Sequence, residues 1–268
     1  MQARFAPWSS CSPQRLRGVA GVLTDIDDTL TRDGAIEPAA LGALERLADA
    51  GVPVIAITGR PMGWSEPFAR AWPLRAIVAE NGAVALFREN GALRIEYAQD
   101  AATRERNALR LHAAAAAVLR ELPEARLATD SAGRITDIAI DHSEHAHLSA
   151  PNIERVVAIM QAHGMSATVS SIHINGWFGD HDKLSGARWI VRRLLGSELD
   201  AQTPFWVYVG DSTNDQLMFR HFDLSVGVAN LLRFESQLHT WPCFVTNGER
   251  GAGFAEVAAA LIAARPKR

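Results

Sequence analysis

The stretch that decides the fold is "GVLTDIDDTLT", residues 21–31. A short apolar run breaks off into three carboxylates, Asp25, Asp27 and Asp28, with Thr29 behind them. The surrounding "VAGVLTDI" has the near-continuous apolar character of a strand covered on both faces. Strand side chains alternate, so Asp25 and Asp27 are expected on one side and Ile26 on the other. At the C-terminal end of a parallel strand they would stand in the crevice where open α/β sheets bind ligands. Carboxylates so close repel each other, and either a divalent cation or one retained proton relieves the repulsion. A polar turn with a helix cap explains a lone Asp-x-Asp equally well.

Outward from this stretch, strands and helices alternate. "EPAALGALERLADAG" (37–51) has helical spacing, with Pro38 in its first turn and Gly51 as its stop. "VPVIAIT" (52–58) and "RAIVAEN" (75–81) read as strands, with a short helix in "GWSEPFARAW" between them. That alternation implies parallel pairing through right-handed crossovers. After Gly82 the pattern changes. Residues 83–98 read as a hairpin turning at Asn90-Gly91, and an Ala-rich helix follows within 101–121. A strand at 133–142, a helix at 150–164 and strands across 166–178, turning near Ser170-Ser171, complete a mixed α+β insertion. From Lys183 the first pattern returns, with helix "KLSGARWIVRRLL", strands "FWVYVG", "LSVGVA" and "CFVTN", and a closing helix at 253–264. The expected division is a tail at 1–18, an α/β core at 19–82 and 179–268 with a Rossmann-like parallel sheet, and an inserted cap at 83–178.

Composition narrows the function. The 268 residues are 48% apolar, enough for a sizeable core, and the formal charge is −3 without a basic block, which speaks against a nucleic-acid partner. No run reaches the ~18 apolar residues of a membrane span. The N-terminal "MQARFAPWSSCSPQRLRG" has no signal-like apolar segment and reads as a tail. Cys11 and Cys243 are the only cysteines, so a reducing, cytoplasmic setting is the simpler expectation.

Three distant segments tie the carboxylates to chemistry. "IAITGRP" places Thr58, Gly59 and Arg60 after the second strand, where a hydroxyl and free N–H groups suit phosphate oxygens. Lys183 opens a helix after the insertion, and "VYVGDSTNDQ" ends a strand at Asp211 with Asn214 and Asp215 following. Each alone is an ordinary turn or a solvated charge. Together, and in this order, "DIDDT", "ITGR", the lysine after an insertion and "GDSTND" resemble the four motifs of the haloacid dehalogenase (HAD) superfamily. Asp25 and Thr58 are 33 residues apart, which leaves no room for a large cap there, whereas 125 residues separate Thr58 from Lys183. That placement, "AENGA", "SVGVAN" and "GAGFAEVA" resemble the Cof-type subfamily IIB, which includes sucrose-phosphate and mannosyl-3-phosphoglycerate phosphatases. Asp28 departs from the pattern, since many members carry Gly there, and "SSIHINGWFGDHDK" matches no member's cap ending.

The resemblance implies a Mg²⁺-dependent phosphatase acting on a small phosphorylated metabolite, a sugar phosphate foremost, as a monomer or small homo-oligomer. A phosphomutase of the same architecture is the alternative, and a non-enzymatic phospho-ligand-binding module a third. By this resemblance Asp25 is the nucleophile and Asp27 the general acid and base. Asp25, the Asp27 carbonyl and Asp211 hold the metal, and Asp215 acts through water or by orienting the other ligands. Thr58 and Lys183 bind the phosphoryl group. Gly59, Arg60, Asn81 and Asn214 line the phosphate and substrate site, although Asn81 suits a turn equally, and Thr29 orients its loop. The strand-end residue Glu80 is expected to face the same crevice. His142, His145 and His147 lie in a polar loop and read as solvated rather than as a metal site. His173, Trp177 and Phe178 read as packing residues, with a place along the substrate cleft as the alternative.

Overall fold

The computed structural model describes residues 4–266. Strand β1 (Ala6–Pro7) and helix α1 (Pro13–Arg17) precede β2 (Gly21–Thr24). A small hairpin of β3 (Thr31–Arg32) and β4 (Ala35–Ile36) leads to α2 (Pro38–Asp49), β5 (Val54–Ile57), α3 (Met62–Ala71) and β6 (Ala76–Ala79). Next come β7 (Val84–Glu89), β8 (Ala92–Tyr97), α4 (Ala101–Glu121), β9 (Arg126–Leu127), β10 (Asp137–Asp141), α5 (Ala150–Ala162), β11 (Ser166–Val169) and β12 (His173–Trp177). The chain closes with α6 (Lys183–Leu195), β13 (Trp206–Gly210), α7 (Gln216–His221), β14 (Leu224–Gly227), β15 (Phe244–Val245) and α8 (Arg250–Ala264).

The large sheet has nine strands in the order β1-β15-β14-β13-β2-β5-β6-β7-β8. From β1 to β6 every pairing is parallel, and β7 and β8 add antiparallel strands at one edge. Both faces are covered, as the unbroken apolar strands require. Val22, Val54, Ala56 and Ile77 face a layer that includes α2 and α8, while Leu23, Ile55, Val78 and Tyr208 face α6 and α7. The fold is the expected Rossmann-like α/β arrangement, with β2 in the middle of the sheet so that its C-terminal end opens at the centre of one rim.

Two segments sit elsewhere than the sequence suggested. The hairpin at 83–98, expected at the start of the cap, is hydrogen-bonded to β6 and extends the large sheet. Its β7 is buried on both faces from Val84 to Phe87, so it belongs to the core by its packing. The tail is also structured where it is described. β1 pairs with β15, and Trp8 and Leu16 join the core, Trp8 meeting Phe244 edge to face. A two-residue strand is too short to carry a periodic signal, which is why the sequence hid it.

The second sheet is antiparallel, in the order β11-β12-β10-β9. Strand alternation sends Ile138, Ile140 and Ile174 against α4 and α5. Asp137 and Asn175 are turned to the opposite side, where Asn175 meets Gly59 of the large-sheet body. β10 begins at Asp137 rather than near Gly133 because the N–H groups of Ile135 and Thr136 donate to the Glu80 carboxylate instead of to a neighbouring strand.

The turn after β6 fixes this assembly. Glu80 and Asn81 are both left-handed (φ 49° and 54°), and Gly82 has φ 109°. A Cβ on Gly82 would lie 2.1 Å from the Asp182 carbonyl oxygen, and one on Gly186 would lie 2.6 Å from Gly82 Cα. The start of α6, and Lys183 with it, is therefore seated against a backbone that only glycine permits. Gly82→Ala is expected to cost about 2 kcal/mol and lower Tm by roughly 5 °C in a thermal melt, since neither the φ nor the close approach can be kept. Trp8→Ala should cost about 3 kcal/mol of unfolding free energy in a denaturant titration, the cost of emptying a buried aromatic site, whereas a disordered tail would show no change.

Candidate active site

The β2 ladder ends at Thr24, and Asp25 N–H continues it by donating to Val209 O at 2.8 Å. Beyond that point the chain turns, with Leu30 N–H returning to Ile26 O at 2.8 Å. Strand alternation therefore places Asp25 but does not govern Asp27 or Asp28. The Asp25 carboxylate is buried and accepts from Lys183 Nζ at 2.9 Å. Lys183 is the first residue of α6, whose N-cap Asp182 forms a reciprocal capping box with Ser185. The same ammonium donates to Asp215 Oδ1 at 2.7 Å and reaches Asn214 Oδ1 at 3.4 Å.

Asp215 spends both oxygens on the protein. Oδ1 accepts from Lys183 and the Tyr208 hydroxyl, and Oδ2 from the N–H groups of Asp211 and Ser212. Asp211 is differently placed. Its Oδ2 accepts from Asn230 Nδ2 at 3.2 Å, while its buried Oδ1 has no partner among the described residues. Oxygens of Asp25, Asp211 and Asp215 lie within 4.8 Å of one another, and no other such acidic or His/Cys cluster occurs among the described residues. Burial pushes the Asp25 carboxyl up to about 7 against the pull of Lys183, with Asp215 and Asp27 adding to the rise. Burial also drives Asp211 well above the usual carboxylate range, and neighbouring Asp25, Asp215 and Asp28 raise it further. For Lys183, burial opposes the charge, but Asp215 and Asp25 outweigh it and hold the amine above its ordinary value.

The second expected group is brought to the same rim. Thr58 is buried at the end of β5, and its hydroxyl accepts from Arg60 N–H at 3.0 Å. Gly59 lies against the side chains of Asn81 and Asn175. Asn81 is buried, with its Nδ2 unpaired. Arg60, 3% exposed, is tied by its Nε to both Asp27 oxygens at 3.0 and 2.9 Å. Its remaining nitrogens reach Asp130 Oδ2 at 3.1 Å and Glu144 Oε1 at 2.7 Å, both on the inserted segment. Arg60 thus faces the crevice through carboxylates that already hold it. Glu80, expected to face the same crevice, is fully buried and binds Met62, Ile135 and Thr136 instead.

Asp28 has φ 53°, a conformation that favours glycine, which accounts for glycine at this place in the related pattern. Here Arg250 Nε donates to Asp28 Oδ1 at 2.6 Å and Asn230 Nδ2 donates to Asp28 O at 2.9 Å, so partners hold the strained residue. The Thr29 hydroxyl is buried without a partner. His173 and Trp177 are buried, the first on Glu144 and the second donating to His181 O, and Phe178 lies under Arg110. His142 bridges Ser143 and the Ser170 carbonyl, and burial lowers its pKa. Above the carboxylates a cleft of about 1260 Å³ runs between the two sheets, reaching from Asp27, Arg60 and Asn214 to Glu144, Ser170 and Arg233.

Sequence reading missed Tyr208, Asn230, Asp130 and Glu144. Tyr208 and Asn230 had a weak signal, a polar group just before and just after the strand ends that carry the motifs. Asp130 and Glu144 had none, because they lie in loops 70 and 84 residues from Arg60.

Residues 22–107 match the haloacid dehalogenase-like hydrolase family. Among solved structures, the Thermoplasma acidophilum protein 0175 superposes with a TM-score of 0.68 at 16% identity, covering 91% of this chain and 98% of that one. The sucrose-phosphatase from Synechocystis, solved with sucrose and phosphate, gives 0.64 at 16% identity over 91% and 98% of the two chains. A HAD/COF-like hydrolase from Plasmodium vivax gives 0.63 at 16% identity over 92% and 96%. No curated protein matches the sequence. Residues 22–107 are thus similar to the haloacid dehalogenase-like hydrolases, and the fold is shared with these solved structures over 91% of the chain or more.

Proposed function

We propose that the protein is a Mg²⁺-dependent phosphatase that hydrolyses a small phosphorylated metabolite, a sugar phosphate foremost, through an aspartyl-phosphate. The observation that carries the reading is the buried Lys183 ammonium held between Asp25 and Asp215, beside an unpartnered Asp211 oxygen. Three carboxylates within 4.8 Å of one another share one lysine, so the site lacks positive charge, and a dianionic phosphate would worsen the deficit. A hard divalent cation with oxygen ligands suits that donor set. Asp25, Asp211 and the Asp27 carbonyl would hold Mg²⁺, which supplies charge neutralisation at the transferring phosphoryl group. Asp215, with both oxygens already occupied, would orient Asp211 and Lys183 rather than bind directly.

In the first step an Asp25 oxygen forms a bond to phosphorus, the bond to the leaving oxygen breaks, and Asp27 gives that oxygen its proton. In the second, Asp27 takes a proton from water, whose oxygen attacks the aspartyl-phosphate and releases inorganic phosphate and the free Asp25. The Thr58 hydroxyl and Lys183 hold the phosphoryl oxygens through both steps. The cleft volume of about 1260 Å³, somewhat above the usual range for small-ligand pockets, and the polar side chains at its floor, Asp27, Arg60 and Asn214, suit a sugar-sized, hydroxylated leaving group. The shared fold of the Synechocystis sucrose-phosphatase supports the class of reaction but not the particular ester.

A panel of phosphorylated metabolites assayed by phosphate release in Mg²⁺ tests the reading, which fails if no ester is hydrolysed. Asp25→Asn should lower turnover of the best ester by at least about 10⁴-fold, with unchanged circular dichroism, because it removes the nucleophile. Asp211→Ala should raise the Mg²⁺ concentration needed for half-maximal activity at least tenfold or abolish activity, and an unshifted titration would locate the metal elsewhere.

A further inference from the structure

Arg60 is the place where the two bodies of the protein meet at the reacting groups. Its planar guanidinium offers donors in a fixed fork, and each edge is occupied by a different carboxylate. Nε binds Asp27, Nη1 binds Asp130 Oδ2 at 3.1 Å, and Nη2 binds Glu144 Oε1 at 2.7 Å. The second Glu144 oxygen meets His173 Nε2 at 2.9 Å, and His173 is 2% exposed on β12. The Glu144 backbone is fixed as well. The Asp141 carboxylate at the end of β10 accepts from the N–H groups of Ser143, Glu144, His145 and Ala146, at 2.9 to 3.1 Å. Asp130 is pinned in turn by Arg134, which also binds Asp137 and the Gly59 carbonyl. Burial alone would raise the Glu144 carboxyl, but His173 and Arg60 take it down to about 2, so it faces Arg60 as a carboxylate at neutral pH.

We propose that Glu144, backed by His173, is a positioning residue for the general acid: by holding the far edge of the Arg60 guanidinium it sets where the near edge presents Asp27 to the leaving oxygen. The inference rests on the phosphatase reading and adds to it a role for a cap residue that reaches Asp27 only through Arg60. A rigid fork transmits position, because rotating one edge moves the others. Without Glu144, one edge of a nearly fully buried guanidinium loses its anion, and Arg60 turns towards its two remaining carboxylates, Asp27 and Asp130. Asp27 is then displaced while Asp25, Lys183 and Asp211, which have no hydrogen bond to Arg60, keep their places.

An acid matters in proportion to how poor the leaving group is. The test is the hydrolysis of para-substituted phenyl phosphates of near-equal shape, from p-nitrophenyl phosphate to phenyl phosphate, by the full-length protein in Mg²⁺. Because kcat/KM reports the steps up to loss of the leaving group, Glu144→Gln should lower it roughly tenfold to a hundredfold more for phenyl phosphate than for p-nitrophenyl phosphate, within the 10²–10⁴-fold such an acid supplies. His173→Gln, which leaves both Arg60 carboxylates of the cap in place, should steepen the same dependence by a smaller factor, and it carries the test if Glu144→Gln does not fold. Equal losses across the series would mean that Glu144 only holds the cap on the core, and would overturn the proposal. A loss confined to KM would mean that Glu144 binds substrate directly, and would overturn it too. A wild-type protein that releases phosphate from none of these esters, nor from the metabolite panel, would instead overturn the phosphatase reading on which the proposal stands.

Discussion

The structure depends on one buried cation. Lys183 sits 2.9 Å from Asp25 and 2.7 Å from Asp215 at a rim where Asp211 is also fully buried. Removing charged groups from water is costly, and breaking such a set by deleting one partner costs far more than replacing all of them. Three features of the core bring this lysine to these carboxylates. β2 and β13 are neighbours, so their ends deliver Asp25 and Asp211 side by side. Tyr208, inside β13, turns its hydroxyl to Asp215, and the glycine pair at 82 and 186 lets α6 approach until its first residue reaches the rim. The arrangement still gathers three carboxylates around one ammonium, a donor set that could hold a divalent cation.

The core was largely legible because its determinants are local. Apolar runs of strand length, separated by helical periods, give the parallel sheet, and the motif residues lie at strand ends where alternation and turn chemistry apply. Asp25, Thr58, Lys183, Asp211 and Asp215 could therefore be singled out from spacing and resemblance together. The hairpin at 84–97 shows where this breaks down. Its turn at Asn90-Gly91 was readable, but which sheet it joins is decided by its pairing with β6, and pairing leaves no mark in a single sequence. The tail was misread for a related reason: the burial of Trp8 depends on Phe244, more than two hundred residues away. At the site, alternation reaches only Asp25, just past the end of β2, and Asp27 is held in the following turn by Arg60.

The inserted segment meets the core through polar groups, not through a shared apolar core. Its own hydrophobic cluster is closed off between β10, β12, α4 and α5. Across the junction run Glu80 to Ile135 and Thr136, Arg134 and Asn175 to the Gly59 carbonyl, and Arg60 to Asp130 and Glu144. Such contacts can be exchanged for water at far lower cost than a buried apolar face, since water replaces hydrogen bonds but not hydrophobic contact.

Two of these junction ties converge on the residues that follow Thr58, one on Gly59 and the other on Arg60. The loop that would hold the phosphoryl group is thereby the same loop that feels the inserted segment. Arg134 and Asn175 fix the Gly59 carbonyl from above, while Thr58 N–H and the Thr58 carbonyl are held from within the sheet by Val78 and Asn81. Position at this loop is therefore set by both bodies, whereas Asp25, Lys183 and Asp211 are set by the core alone. The division is a physical one: Asp25, Lys183 and Asp211 are held by the parallel sheet and the helices on it, and Gly59 and Arg60 are shared with the inserted segment.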